Sequence, residues 1–193
     1  MHRIEPHYLW RELYIASEDK RSPFFGRVYD EFVFSQRIYN YLIHPQWDAF
    51  GSPTLYTKLL YADYSEGYAI LEMLGEWNDC LQNDIMFFKR EIVEPLQEEG
   101  ICRFVLLCEQ VLNFHGSDDA YYEEWYEEVA EKDGWIVFLN LLPHVTEEMR
   151  QMRIHDFVQL GESCQLLEWR TGTPQMLFRQ VQQNFLQTQR ELG

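Results

Sequence analysis

Two largely apolar runs constrain this chain more than anything else in it: ICRFVLLC at residues 101–108, with Arg103 near its start, and WIVFLN at residues 135–140. A strand with one wet face alternates apolar and polar residues, whereas a strand covered on both faces need not. These runs therefore predict central strands of a sheet held between other layers. The segment between them sharpens the reading. Tyr122, Trp125, Tyr126 and Val129 recur at three- and four-residue steps, the spacing of one helix face. Strand, helix, strand implies a crossover, and crossovers join parallel neighbours.

The punctuation continues in both directions. LYTKLLYADY and GYAILEML read as strands joined through Ser65-Glu66 before Gly67, a hairpin signal. Asn78 or Asp79 can cap the helix that follows, in which Leu81, Ile85, Phe88, Ile92 and Leu96 share a face. Pro95 is expected to kink or restart its last turn, and Gly100 to end it. Beyond WIVFLN, Leu142-Pro143-His144 leads into a short helix carrying Val145, Met149 and Met152. IHDFVQL reads as a turn and a brief strand, and ESCQLLEW as one more edge strand. Thr173-Pro174 starts a terminal helix with Leu177, Val181 and Phe185 on its core face.

Residues 1–54 have a different texture, irregular and rich in aromatics. PHYLWRELYIASED reads as a short helix built on Leu9, Leu13 and Ile15, and EFVFSQRIYNYLI as one or two strands. SEDKRSPFFGR and HPQWDAFGSP carry loop chemistry. The expected fold class is α/β, a mixed β-sheet flanked by helices. Residues 55–160 form its core, 1–54 an aromatic-rich N-terminal extension packed on it, and 161–193 a C-terminal strand and helix. The 193 residues suit one domain with such additions.

Charge narrows the function classes. Acids outnumber bases 32 to 16, for a net charge of −16. Such a field repels phosphate backbones and anionic membrane surfaces, so no nucleic acid and no membrane is expected as a partner. Lys20, Arg21 and Arg27 make only a thin basic set. No run of apolar residues reaches membrane-spanning length. The start, MHRIEPHYLW, lacks the pattern of a signal peptide. Cys80, Cys102, Cys108 and Cys164 form no CxxC pair, and read as buried reduced thiols of a cytoplasmic protein. The six histidines never pair at metal spacing, and neither a metal nor another cofactor is expected.

The stretch NFHGSDDAYYEE, residues 113–124, gathers the candidate site residues. His115, Ser117, Asp118 and Asp119 sit where a central strand turns into an acidic helix. Acyl transfer needs a base within reach and an oxyanion hole, and no Gly-x-Ser-x-Gly elbow is present. His115, Asp118, Asp119 and Glu123 offer oxygen and nitrogen ligands, but at no metal-loop spacing. The simplest reading has Ser117 capping the helix, with Asp118 and Asp119 in its first turn, where the helix dipole favours anions. Glu123, Glu124 and Glu127 then form a solvated or partner-facing acidic surface beside Trp125. In the extension, RSPFFGR sets Phe24 and Phe25 between arginines, a candidate exposed anchor for a partner.

Three stretches resemble the STAS domain, the fold of bacterial anti-sigma-factor antagonists: GYAILEMLGEWND, GICRFVLLCEQVLNFHGSDD and GWIVFLNLLPHVTEEMRQMRIHDFVQL. The resemblance covers about residues 57–160 and rests on apolar spacing. It implies a protein-binding regulatory module, with a phosphorylated serine in the loop before the second helix. Ser117 occupies that place, but the family's Asp-Ser-[Ser/Thr]-Gly is absent: Gly116 precedes the serine and two aspartates follow it. A phosphate there would meet like charge. The expectation is a non-enzymatic cytoplasmic module binding a protein, which the acidic helix would suit if that partner is basic. One alternative is a small-ligand-binding protein or enzyme with its site at the strand ends near His115–Asp119. A second is a self-assembling structural protein, and a homo-oligomer is compatible with either non-enzymatic reading.

Overall fold

The computed structural model describes residues 4–160 and 168–192, with side chains up to residue 187. A two-stranded ribbon, β1 (Arg37–Ile38) and β2 (Tyr41–Leu42), lies in the extension. The main sheet has five strands: β3 (Leu55–Asp63), β4 (Tyr68–Asn78), β5 (Arg103–His115), β6 (Trp135–Leu139) and β7 (Gln159–Leu160). Their order across the sheet is their order in the chain. β3 and β4 pair antiparallel, from Leu55 opposite Gly75 to Asp63 opposite Tyr68. The pairs β4–β5, β5–β6 and β6–β7 are all parallel. The fold is thus α/β with a mixed sheet flanked by helices.

This topology decides where every helix goes. Parallel crossovers are right-handed almost without exception for steric reasons, and each one here steps one strand in the same direction. All the crossing elements must then lie on one face. They do: α4 (Ala120–Ala130) and α5 (Pro143–Gln151) join the 79–98 helical segment over a core that includes Trp77, Phe88, Phe104, Trp125, Phe138 and Met149. The other face, with Tyr68, Ile70, Val105, Leu107, Trp135 and Val137, has no crossover to cover it. It is closed by the chain's two ends. The terminal helix α6 (Pro174–Leu192) lays Leu177, Phe178 and Val181 on it, and Trp10 and Trp169 seal the rest. Phe178 stacks on Tyr68 at 3.8 Å between ring centroids, and Trp10 donates its indole hydrogen to the Gly172 carbonyl at 2.8 Å. Thr173 caps α6 through its hydroxyl oxygen, which accepts the Met176 amide at 3.2 Å.

Several local expectations need correction. The helix expected from Asp79 to Glu99 is broken into α1 (Asp79–Gln82), α2 (Asp84–Phe88), a π-helical turn (Lys89–Val93) and α3 (Glu94–Glu98). Asn83 takes the left-handed conformation, φ 55°, and this turns Leu81 away from the core to 79% exposure. Pro95 has no amide hydrogen to continue an ordinary helix, and the chain ahead of it widens so that the Glu94 amide bonds back to Lys89. Asn78 does cap α1, its side chain accepting the Leu81 amide at 2.9 Å.

Residues 8–19 form a series of turns rather than a helix, held by Trp10, with Leu9, Leu13 and Ile15 facing solvent. The expected strands in 31–43 shrink to the two-residue pairs of β1 and β2. Tyr126, assigned to the buried face of α4, is 43% exposed. The ESCQLLEW strand lies almost wholly outside the described residues.

Gly75 shows how tightly β3 and β4 are laid together. Its φ is +125°, and a Cβ there would sit 2.0 Å from the Thr54 carbonyl oxygen. The strand can bend at this point only because no side chain is present.

Candidate functional site

The carboxyl ends of β4 and β5 meet at Asn78 and His115, which are register partners. His115 lies 3.3 Å from a Glu76 oxygen, and that carboxylate also accepts the Tyr39 hydroxyl at 2.6 Å and the Asn78 amide at 3.3 Å. Asn113 donates to the same tyrosine oxygen at 3.2 Å. The exposed imidazole thus has a carboxylate partner, but it comes from the neighbouring strand rather than from the SDD stretch. Ser117 and Asp118 are exposed. Ser117 does not cap α4. Its N-cap residue is Asp119, without a side-chain bond, while Asp118 accepts the Ala120 amide at 3.2 Å. Close packing explains the glycine before the serine: a Cβ at Gly116 would stand 2.7 Å from Met152 Cγ and 2.9 Å from the Phe114 ring.

His115, Asp118, Asp119 and Glu123 do not converge as ligands. Among the described residues, the acids that do gather are Glu94, Glu124 and Glu128. Their centre is already filled by the ammonium of Lys89, fully buried, at 3.0 Å from Glu94, 3.3 Å from Glu124 and 2.9 Å from Glu128. Arg90 joins Glu94 and Glu124 at the rim. Half of the acidic face of α4 is therefore spent internally, binding the helix to the π-helical turn. Glu123 and Glu127 remain exposed.

Two proposed surface residues are core residues. Trp125 has no exposure and packs edge-on against Phe88 and Phe104. Phe24 is 1% exposed, because its loop folds against the helix-bearing face of the sheet, while Phe25 is half-exposed. Of the cysteines, Cys102 and Cys108 are buried but Cys80 is exposed, its thiol donating to the Gly116 carbonyl. Cys164 lies outside the described residues.

Two groups of buried or partly buried acids escape periodicity arguments. Asp79 accepts from the Trp77 indole at 3.0 Å, the Ile85 amide at 2.9 Å and the Tyr122 hydroxyl at 2.8 Å. Burial pushes its carboxyl up to about 7 and nearby Asp84 adds repulsion, against the pull of those three donors. On the opposite face, Glu72 accepts the His7 amide at 2.8 Å, and Arg170 bridges it to Glu109 at 3.4 and 2.9 Å. Glu109 also accepts Asn140 at 2.9 Å and the Trp169 indole. The available signal was an acid inside an apolar run, as in AILEML, which a buried strand tolerates only with partners.

The largest departure from an ordinary surface lies in the extension. Val28 is 96% exposed, Phe32 90%, Tyr41 71%, Val33 59% and Tyr39 56%. Residues 25–41 contain two arginines and two acids, so this stretch is neutral on a strongly acidic chain. Beside it is a hollow of about 350 Å³, lined by Val28, Val33, Pro45 and Trp47 among others. No helix among the described residues is long and apolar enough to cross a membrane. No family model matches the chain, and no curated protein matches it.

Proposed function

We propose that this chain is a protein-interaction module whose docking face is the N-terminal extension around Val28, Phe32, Val33, Tyr39 and Tyr41. The observation that carries the reading is the exposure of these side chains on a neutral stretch with little backbone pairing of its own. Large apolar side chains exposed together within one short segment of chain point to a site of association. Large aromatic side chains beside a hollow are the usual anchors of an interface. The surface favours a partner offering apolar side chains over one that is mainly basic, since Glu124 and Glu128 are engaged by Lys89 and Arg90.

The STAS-like reading is a narrower form of the same proposal. It is supported by the hairpin followed by parallel crossovers and by the exposure of Ser117. It would make that serine the point of control.

The test is a comparison of the wild-type chain with Phe32→Asp and Val28→Asp in co-purification from native cells. Both variants should melt as the wild type does and should lose the captured proteins. An unchanged set of captured proteins would reject this docking face. For the narrower form, Ser117→Ala and Ser117→Asp should capture different sets, and identical sets would remove the switch.

A further inference from the structure

Between the N-terminal turns and strand β3 lies a cavity of about 200 Å³, far above the roughly 15 Å³ that one water requires. Its polar lining includes His7, Arg11, Gln46, Tyr29 and Lys58, and its apolar lining includes Ile15 and Leu60.

Its two charged lining residues, Arg11 and Lys58, are both cations. Asp48, whose side chain has no exposure, is shared by Lys58 at 3.0 Å and Arg27 at 3.1 Å, and it also accepts the Tyr29 hydroxyl at 2.7 Å. One buried carboxylate thus serves two cations. Among the described residues, the third cation, Arg11, pairs with the half-exposed Glu5 at 3.4 Å. Arg11 and Lys58 face the cavity itself, and no carboxylate is among its lining residues. Burial holds the Lys58 ammonium below its ordinary value, against the pull of Asp48, and Arg11 and Arg27 depress it further.

Uncommitted hydrogen-bonding capacity meets that charge. Lys58 carries three donor hydrogens; its hydrogen bond is to Asp48, and its ammonium also lies 3.9 Å from the centre of the Tyr29 ring. The ring of His7, 8% exposed, lines the cavity and is braced edge-on by Trp10 and Trp169 at 4.9 and 4.7 Å.

We infer that this cavity binds a small organic monocarboxylate, its carboxylate held by Arg11 and Lys58 and its short apolar body laid against Ile15 and Leu60. The site adjoins the hollow beside the docking face proposed above, with Tyr29 lining both, but it needs no partner protein and is tested without one. A carboxylate answers the excess of cations, and the planar Arg11 fork suits its two oxygens. The volume of about 200 Å³ excludes a bulky ligand.

The probe is benzoate, compared with the isosteric but uncharged benzamide, by calorimetric titration of the full chain. Benzoate should bind at least about tenfold more tightly than benzamide, a difference of about 1.4 kcal/mol. Arg11→Met, at a half-exposed position that the fold does not need, should weaken benzoate by about tenfold or more with its melting temperature unchanged. The His7 ring resonances should move on addition of benzoate. Equal binding of benzoate and benzamide would overturn the inference. So would affinity untouched by Arg11→Met, or binding that leaves the His7 ring unperturbed.

Discussion

Asp79→Asn tests the electrostatics of the core directly. The carboxyl is 3% exposed, and burial raises it from 3.8 to about 7. Between those two values the folded chain keeps a proton that the unfolded chain has lost. The folded state therefore binds more protons there, and stability must fall as pH rises through the window. From about pH 5 to about pH 8 the loss spans two pK units, or about 2–3 kcal/mol at about 1.4 kcal/mol per unit. Asparagine keeps the shape and cannot ionise. Its oxygen can still accept from Trp77 and Ile85, and Tyr122 can turn its hydroxyl to accept from the amide. Urea denaturation of wild type and variant at both pH values isolates this group, because other titrating residues cancel in the difference. The wild type should lose about 2–3 kcal/mol relative to the variant between the lower and the higher pH. A difference that stays flat across the range would refute the buried-acid argument.

Other outcomes follow from the same structure. Lys89→Met leaves Glu94, Glu124 and Glu128 facing one another and should cost about 1–3 kcal/mol, discounted because the glutamates are partly solvated. Urea denaturation should show that cost shrinking once acid protonates them, and a cost independent of pH would argue against the cluster. Gly75→Ala should destabilise by about 2 kcal/mol or more, because both the φ of +125° and the Thr54 carbonyl oppose a Cβ, and a neutral result would deny that close approach. Burial, with Arg170 adding repulsion, lowers His7 to about 4. Below its ordinary 6.5 the unfolded chain then binds the extra proton, so this residue removes stability as pH falls from 6.5 toward 4. An NMR titration of the ring should give a midpoint near the lower value, and a midpoint near the ordinary one would show the ring to be open.

The order of elements was legible in the residues because backbone periodicity is local. ICRFVLLC and WIVFLN mark buried strands, Asn78 and Thr173 cap their helices, and Ser65-Glu66-Gly67 turns the hairpin, each within a few residues of chain. The mixed sheet follows from that order. The site residues were not legible in the same way. Ser117, Asp118 and Asp119 drew attention by standing together, yet His115 pairs with Glu76 from the adjacent strand. The glutamates of α4 alternate correctly for a wet face, but they reach Lys89, 35 and 39 residues away, because a π-helical turn brings that lysine beneath them.

The sequence by itself determined the alternation of strands and helices, and with it a sheet buried on both faces. Tertiary structure alone decided what covers the second face, which acids are paired and which apolar residues stay outside. Periodicity records the backbone geometry of a few turns of chain. Coverage, pairing and exposure depend on elements distant in sequence, as when Trp10 closes on Gly172 or Arg11 and Lys58 come to line one cavity.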